Sequence, residues 1–148
     1  MKPTAEHYVA MLRQIRSLVE VQHAVTMRNW QDSRLQPGAG KLLALLSATG
    51  ETRVSDLADQ RFVDASVVSR QAAQLEKLGL IERRRAPEDG RVALLRVTPE
   101  GERVLEEWRQ TQVDLLAKAL HGWDADKLTA ATTFLAEINE DFRTSLFD

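Results

Sequence analysis

The chain has 148 residues, with 20 Lys and Arg against 22 Asp and Glu, and a formal net charge of -2. This length suits one domain, and a 43% hydrophobic content is enough for a packed core. The chain has no cysteine, which excludes disulfides, thiolate metal sites and cysteine nucleophiles. No uncharged stretch approaches the roughly 20 apolar residues that span a bilayer, and residues 1–17 lack a signal-peptide core. We therefore expect a soluble, cytoplasmic protein with no membrane association.

The charge is unevenly distributed along the chain. Residues 61–96 carry 8 basic and 5 acidic side chains, whereas residues 97–148 carry 5 basic and 11 acidic ones. A nucleic-acid-binding module needs local positive potential facing the phosphates, and the whole chain need not be basic. A solvated surface without any partner can have the same composition, so charge alone leaves both interpretations open.

Two helices are predicted in the N-terminal third. Apolar side chains recur at intervals of three and four over residues 8–25, which predicts a long helix from Thr4 to Trp30 with one buried face. A leucine-rich helix follows over residues 37–49 and ends at Gly50, a typical C-terminal cap residue. Because its leucines occupy more than one face, we expect this second helix to be central in the fold.

A helix-turn-helix pattern comes next. Residues 54–60 are predicted to form a short helix, residues 62–64 a turn, and residues 65–78 a second helix with the Asp64 carboxylate as its N-cap. The second helix is predicted to bury Val67 or Val68, together with Ala72, Leu75 and Leu78, and to leave small polar groups and an arginine on other faces. This pattern is typical of a helix-turn-helix, although a generic helical hairpin gives a similar one.

Two strands are predicted after this helix pair. Residues 80–85 and 92–98 are joined by a loop that contains Pro and Asp-Gly, which indicates a hairpin. A helix-turn-helix followed by a basic hairpin is a winged helix. Arg83, Arg84 and Arg85 alternate across the strand, so they cannot all face one phosphate chain. We expect one or two of them to contact DNA or to pair with Asp89.

The last third predicts two more helices. Thr98 is the expected N-cap of a helix that begins at Pro99 and runs to about residue 120, and Asp124 is the expected N-cap of a final helix. Apolar residues at 128–146 alternate spacings of three and four, as in a helix that packs along another helix. These helices carry more apolar surface than a small winged core can cover. A dimer is the simplest way to bury it, and a monomeric bundle is the alternative.

Several segments resemble the MarR family of transcription regulators. Residues 54–58 read VSDLA, residues 66–70 read SVVSR, and residues 74–81 read QLEKLGLI. Residues 83–101 resemble the wing of that family and the exit into its fifth helix. The order of elements resembles the family over nearly the whole chain.

The resemblance implies a mainly helical fold with a small β-hairpin wing, in a single MarR-like domain. Residues 1–34 and 99–148 would be the dimerisation helices, and residues 35–98 the winged helix-turn-helix lobe that binds double-stranded DNA. The helix after Asp64 would enter the major groove and the wing the minor groove. Members of the family carry an Asp-x-Arg motif in the wing, in which the Asp holds the Arg in place and the Arg enters the minor groove. The corresponding residues here are Asp89 and Arg91. Gly90 stands where many relatives carry a second Arg, and Val67 where relatives often have a polar residue.

The candidate DNA-binding residues lie on this helix and on the wing. Serine hydroxyls on a groove-entering helix can donate to phosphates or base edges, and an arginine can bind guanine or a phosphate. Local capping or plain solvent exposure is the alternative for the serines and the glutamines. The full candidate set is Ser66, Ser69, Arg70, Gln71, Gln74, Arg84, Asp89 and Arg91.

Other sites are less well marked. The resemblance implies a small aromatic effector bound between the dimer helices and the DNA-binding lobe, with Tyr8, Arg13, Arg16, His23 and Trp30 as candidates, although a core or interface role is more usual for such residues. The histidines have no metal-binding spacing, and no catalytic motif is present, so we expect no cofactor, no metal and no enzyme activity.

The sequence therefore predicts a homodimeric, sequence-specific regulator. We expect a repressor that binds a pseudo-palindromic operator and is released by a small molecule. The alternative is a dimeric winged-helix module for protein contacts or ligand sensing, with little specific DNA binding.

Overall fold

The structure, a computed structural model, describes residues 1–30 and 35–147, except for the side chains of Asn29 and Trp30. It forms two compact units, Met1–Glu107 and Trp108–Asp148. The elements in chain order are α1 (Ala5–Trp30), α2 (Pro37–Thr49), β1 (Thr52–Arg53), α3 (Val54–Arg61), α4 (Ala65–Lys77), β2 (Ile81–Arg85), β3 (Ala93–Val97), α5 (Pro99–Ala119) and α6 (Ala125–Leu146).

The helices and the hairpin agree with the predicted elements to within a residue or two at each end. The short strand β1 was not predicted. It pairs antiparallel with β3, placing Thr52 opposite Leu95 and Arg53 opposite Leu94, and gives a sheet of order β1-β3-β2. Two residues are too few to show an alternating pattern, so only the tertiary pairing reveals this strand.

The core of the first unit is built around α2, as its leucines predict. Leu42, Leu43 and Leu46 are fully buried. They share the core with side chains from α3, α4 and β3, namely Leu57, Val68, Leu75 and Leu95. Each such side chain contributes about 1.5–3 kcal/mol when it is buried. Because one face of α4 is fixed in this core, its opposite face is held outward.

The predicted helix caps have mixed outcomes. The Thr98 Oγ1 accepts a hydrogen bond from the Gly101 amide at 3.1 Å, and the Asp124 carboxylate accepts from the Lys127 amide at 2.8 Å, so both of these caps are confirmed. The predicted Asp64 side-chain cap is wrong. Asp64 occupies the N-cap position, but its exposed carboxylate makes no cap hydrogen bond. At an exposed helix start, water can satisfy the free amides instead.

Long apolar faces remain uncovered in the single chain. The predicted face of α1 is present as a pattern, yet Tyr8, Leu12, Leu18 and Val19 are all exposed. In the second unit, α6 has no buried residue among those described. Within the described ranges, no helix is both long enough and apolar enough to cross a membrane.

Candidate nucleic-acid interface

Helix α4 presents a polar face on the outside of the first unit. Its buried side consists of Val68, Ala72 and Leu75, which confirms the predicted Ala72, Leu75 and one of the two valines. Leu78, also predicted to be buried, is half-buried at the C-cap position. Ser66 and Arg70 are exposed, and Ser69 is half-buried. Two hydroxyls and a guanidinium therefore lie at or near the surface within the first half of the helix.

The two glutamines of α4 lie differently. Gln71 is half-buried, and its Oε1 accepts a hydrogen bond from Nη1 of Arg61 at the end of α3. On its other side it packs against the start of α2, where a Cβ built on Gly38 would lie 3.3 Å from the Gln71 Cδ. Its amide is thus engaged between three helices. Gln74 is also half-buried.

Arg61 was not among the predicted site residues. Partial burial lowers the pKa of its guanidinium, and its Nη1 donates a hydrogen bond to the neutral Gln71 amide. Its place at the end of a short helix gave no sign of this contact, because the two residues meet only when α3 and α4 pack together.

The wing is a regular hairpin with a structured tip. Strands β2 and β3 pair from Ile81 opposite Val97 to Arg85 opposite Ala93. At the tip, the Asp89 carboxylate accepts from the main-chain amide of Arg91 at 3.0 Å, and Nη1 of Arg85 donates to the Gly90 carbonyl at 2.9 Å. Asp89 therefore holds the main chain of Arg91, while the Arg91 side chain is exposed.

The three consecutive arginines of β2 have three different partners. Arg83 pairs with Glu76 of α4 at 2.9 Å, and Arg84 forms a two-pronged contact with Glu51, whose Oε2 accepts from Nε at 2.6 Å. Arg85 binds the wing tip. None of these contacts is with Asp89, so the expected pairing with Asp89 is not what they show. The partners differ because alternation along the strand sends neighbouring side chains to opposite faces.

Glu51 is a second residue that the sequence did not single out. The hydrogen bonds from Arg84, with added attraction from Arg96, hold the pKa of the Glu51 carboxyl below its ordinary value, and Glu51 in turn raises the pKa of Arg84. The Arg84 guanidinium, which was predicted to contact DNA, thus already has a carboxylate partner in the structure. Thirty-three residues separate the two in sequence, and no local pattern marks the pair.

A shallow concave surface lies on the wing. It is lined by Arg83, Arg84, Arg85, Gly90, Arg91, Val92 and Ala93. Four arginines on one small surface concentrate positive charge there, even though two of them are paired with carboxylates. The first unit thus carries a basic surface on the wing in addition to the polar outer face of α4.

The effector candidates are not gathered into a closed site. Arg13 and Arg16 lie along a shallow depression on the surface of α1, and Tyr8 and His23 are exposed on the same helix. The side chain of Trp30 lies outside the described residues.

Comparison with known proteins gives consistent matches. Residues 35–93 match the family model described as the MarR family. The chain is 35% identical over 101 residues to YxaD, an uncharacterized HTH-type transcriptional regulator of Bacillus subtilis (strain 168), covering 68% of this chain and 71% of that protein.

The fold also matches solved structures. A MarR family protein from Bacillus stearothermophilus superposes with a TM-score of 0.82 at 19% identity, over 95% of this chain and 99% of the other. FabT from Streptococcus pneumoniae, crystallised in complex with DNA, superposes with a TM-score of 0.77 at 17% identity, over 93% of this chain and 98% of the other. These likenesses confirm the predicted, mainly helical winged-helix fold. With the identity to YxaD and the family match, they lead to one conclusion: the chain belongs to the MarR family of DNA-binding transcriptional regulators.

Proposed function

We propose that this protein represses transcription as a homodimer bound to a pseudo-palindromic operator, and that a small-molecule effector releases it. The observation that carries the proposal is the outward face of α4, with Ser66, Ser69 and Arg70, in the same compact unit as an arginine-rich wing. A helix and a hairpin of this kind match the two grooves of duplex DNA.

Helix α4 is the element proposed for the major groove. The short hydroxyl side chains of Ser66 and Ser69 permit a close approach to phosphates or base edges. Arg70 is exposed and can form two hydrogen bonds with guanine O6 and N7. Gln71 contributes less to DNA binding than its position on the helix suggests, because its side-chain carbonyl already accepts a hydrogen bond from Arg61.

The wing is the element proposed for the minor groove. Asp89 and Arg85 fix the main chain of the tip, which presents the exposed Arg91. Among the described residues, no carboxylate forms an ion pair with Arg91. An unneutralised guanidinium gains from the negative potential of a narrow minor groove.

The homodimer is proposed from the uncovered apolar faces. Each of α1 and α6 exposes a row of large apolar side chains, and contiguous apolar surface of this kind marks an interaction site. A second copy offers the same rows and can bury them symmetrically. A two-fold dimer would place two α4 helices on successive major grooves, about 34 Å apart, which is why the operator is proposed to be a pseudo-palindrome.

Release by an effector follows from that spacing. A ligand that favours a dimer with differently spaced α4 helices lowers the affinity for the operator by its preference for that state. Arg13 and Arg16 on α1 are the proposed partners for the carboxylate of an aromatic acid, with Tyr8, His23 and Trp30 as further candidates.

The test is selection of fragmented genomic DNA by the purified protein at physiological salt, followed by sequencing of the retained fragments. We expect enrichment of a pseudo-palindrome with half-sites about one helical turn apart. Retention without sequence preference, or no retention by the ligand-free protein, would favour the alternative of a protein-contact or ligand-sensing module. Gel-shift titration of the selected duplex with aromatic acids then tests release.

A further inference from the structure

The ion pair between Glu51 and Arg84 crosses the full width of the small sheet. Glu51 immediately precedes β1, Arg84 lies in β2, and β3 lies between these two strands. Within the sheet, Leu94 of β3 is opposite Arg84 on one side and Arg53 on the other. The carboxylate and the guanidinium meet over β3 through two hydrogen bonds.

The position of β1 gives this contact its importance. Strand β1 is only two residues long, and α3 begins at the next residue, Val54. The segment that carries Glu51 thus leads directly into the helix-turn-helix, whereas Arg84 belongs to the outer strand of the wing. A contact between them adds a side-chain link to the main-chain pairing of β1 with β3, and so restricts how the wing swings relative to α3 and α4.

The charges also argue against a direct role for Arg84 on DNA. Its guanidinium already has a carboxylate partner, and the same carboxylate is attracted by Arg96. To bind a phosphate, Arg84 would have to give up Glu51 and leave that carboxylate facing the backbone of DNA. By contrast, Arg91 has no such partner among the described residues.

We infer that Glu51 and Arg84 form a positioning pair, which sets the wing relative to the helix-turn-helix so that Arg91 reaches the minor groove, and that Arg84 makes no phosphate contact. This inference rests on the proposed DNA-binding function. For one substitution, it also predicts a change in DNA affinity opposite in direction to the change that simple electrostatics predicts. Glu51→Gln removes a negative charge from a DNA-binding unit, which by charge alone should strengthen binding, yet it also removes the partner that holds Arg84.

The experiment measures the affinity of the full chain for the duplex obtained in the genomic selection, over a range of salt concentrations, by fluorescence anisotropy. We expect Glu51→Gln and Arg84→Gln each to weaken binding by about threefold, the size that an exposed ion pair supports. The variant with both substitutions should bind no more weakly than either single variant. The charge-reversed variant, Glu51→Arg with Arg84→Glu, should recover most of the loss.

The salt dependence separates positioning from contact. Loss of a phosphate contact reduces the slope of log affinity against log salt by about 0.9 whether or not Arg91 is present. A positioning contact acts only through Arg91, so Arg84→Gln should leave both the affinity and the slope unchanged in an Arg91→Ala background. Glu82→Gln is the matched control. It removes a carboxylate from the same sheet, where Glu82 pairs with Arg96 within the hairpin, and it should not weaken binding.

Hydrogen exchange in the absence of DNA supplies an independent readout. We expect Glu51→Gln to speed exchange at the amides of β1 and of its partner residues in β3, while the amides of α2 stay protected. Equal or tighter DNA binding by Glu51→Gln, or a salt slope that Arg84→Gln reduces in an Arg91→Ala background, would overturn the inference. If the wild type retains no specific duplex, it is the proposed function that fails. Unchanged hydrogen exchange in Glu51→Gln would then show that the pair does not position the wing either.

Discussion

Gly101, in the first turn of α5, lies directly against the main chain of Leu80. A Cβ built on Gly101 would be 2.6 Å from the Val97 Cγ1 and 3.1 Å from the carbonyl carbon of Leu80, and closer still to the Leu80 oxygen. That oxygen accepts a hydrogen bond from the Thr98 amide at 3.0 Å, and the Thr98 hydroxyl donates to the Gly79 carbonyl at 2.6 Å. The start of α5 is thus docked on the turn between α4 and the wing, and only a residue without a side chain permits the approach.

Gly101→Ala should therefore destabilise the fold by about 2–4 kcal/mol, since the methyl group meets main-chain atoms that cannot rotate away. Chemical denaturation measures the loss. Gly122→Ala is the control, because a Cβ there meets nothing within 4 Å, and its effect should stay within about 0.5 kcal/mol. Equal stability of the wild type and Gly101→Ala would show that the helix start is not docked as described.

Arg70→Ala should weaken binding to the selected duplex by about tenfold, as expected for the loss of a two-pronged contact with guanine. The same variant should lose its preference at one base pair in each half-site, measured with a panel of single-base changes. Lys77→Ala removes a positive charge from the exposed end of the same helix and serves as the control. A uniform loss across all sequences would instead assign Arg70 to a phosphate.

Arg91→Ala should weaken binding by about tenfold and reduce the salt slope by about 0.9, while the oligomeric state stays unchanged. Hydrogen bonds from Arg85 and to Asp89 fix the main chain of the wing tip, whereas the Arg91 side chain is exposed to solvent. Lys2→Ala removes the same charge from the exposed N-terminal segment and should have little effect. Undiminished affinity of Arg91→Ala would remove the wing from the minor groove.

The elements and the recognition face could be predicted from sequence because they depend on local signals. Helix periodicity identified the buried Ala72 and Leu75 of α4 and left two adjacent valines as alternatives, and turn residues placed the hairpin. The Asp64 side-chain cap failed because the position of a residue before a helix does not determine whether water takes its place.

The contacts that tie the lobe together depend on residues far apart in the chain. Glu51 meets Arg84 across a sheet whose first strand has only two residues, and Arg61 meets Gln71 only when α3 packs on α4. Neither pair has a local pattern that predicts it. For the same reason, sequence assigned Arg84 to DNA by its positive charge alone, with no means of showing the carboxylate beside it.

The pair of Glu51 with Arg84 also predicts a pH dependence. Because Arg84 lowers the pKa of Glu51 in the folded chain below its ordinary value of 4.5, the stabilisation is present above that value and is lost as pH falls through the lower, folded-state pKa. The wild type should therefore be more stable than Glu51→Gln at neutral pH, and the difference should vanish in acid. Thermal unfolding of both proteins across this range measures it, and the pairing of Glu100 with Arg103 cancels because both proteins contain it. A difference that persists or grows in acid would contradict the pairing.

The oligomeric state is tested on α6, where Leu128, Leu135 and Phe142 follow one face and are each close to half exposed. If a second copy covers this face, Leu135→Glu buries an unpaired charge in the interface and should shift the protein to monomers at micromolar concentration. Thr133→Glu adds the same charge at an exposed polar position on the opposite face of the same helix and should remain dimeric. Sedimentation velocity distinguishes the species. A wild type that sediments as a monomer would mean that the apolar face binds something other than a second copy, and a two-fold operator would then have no symmetric partner to recognise it.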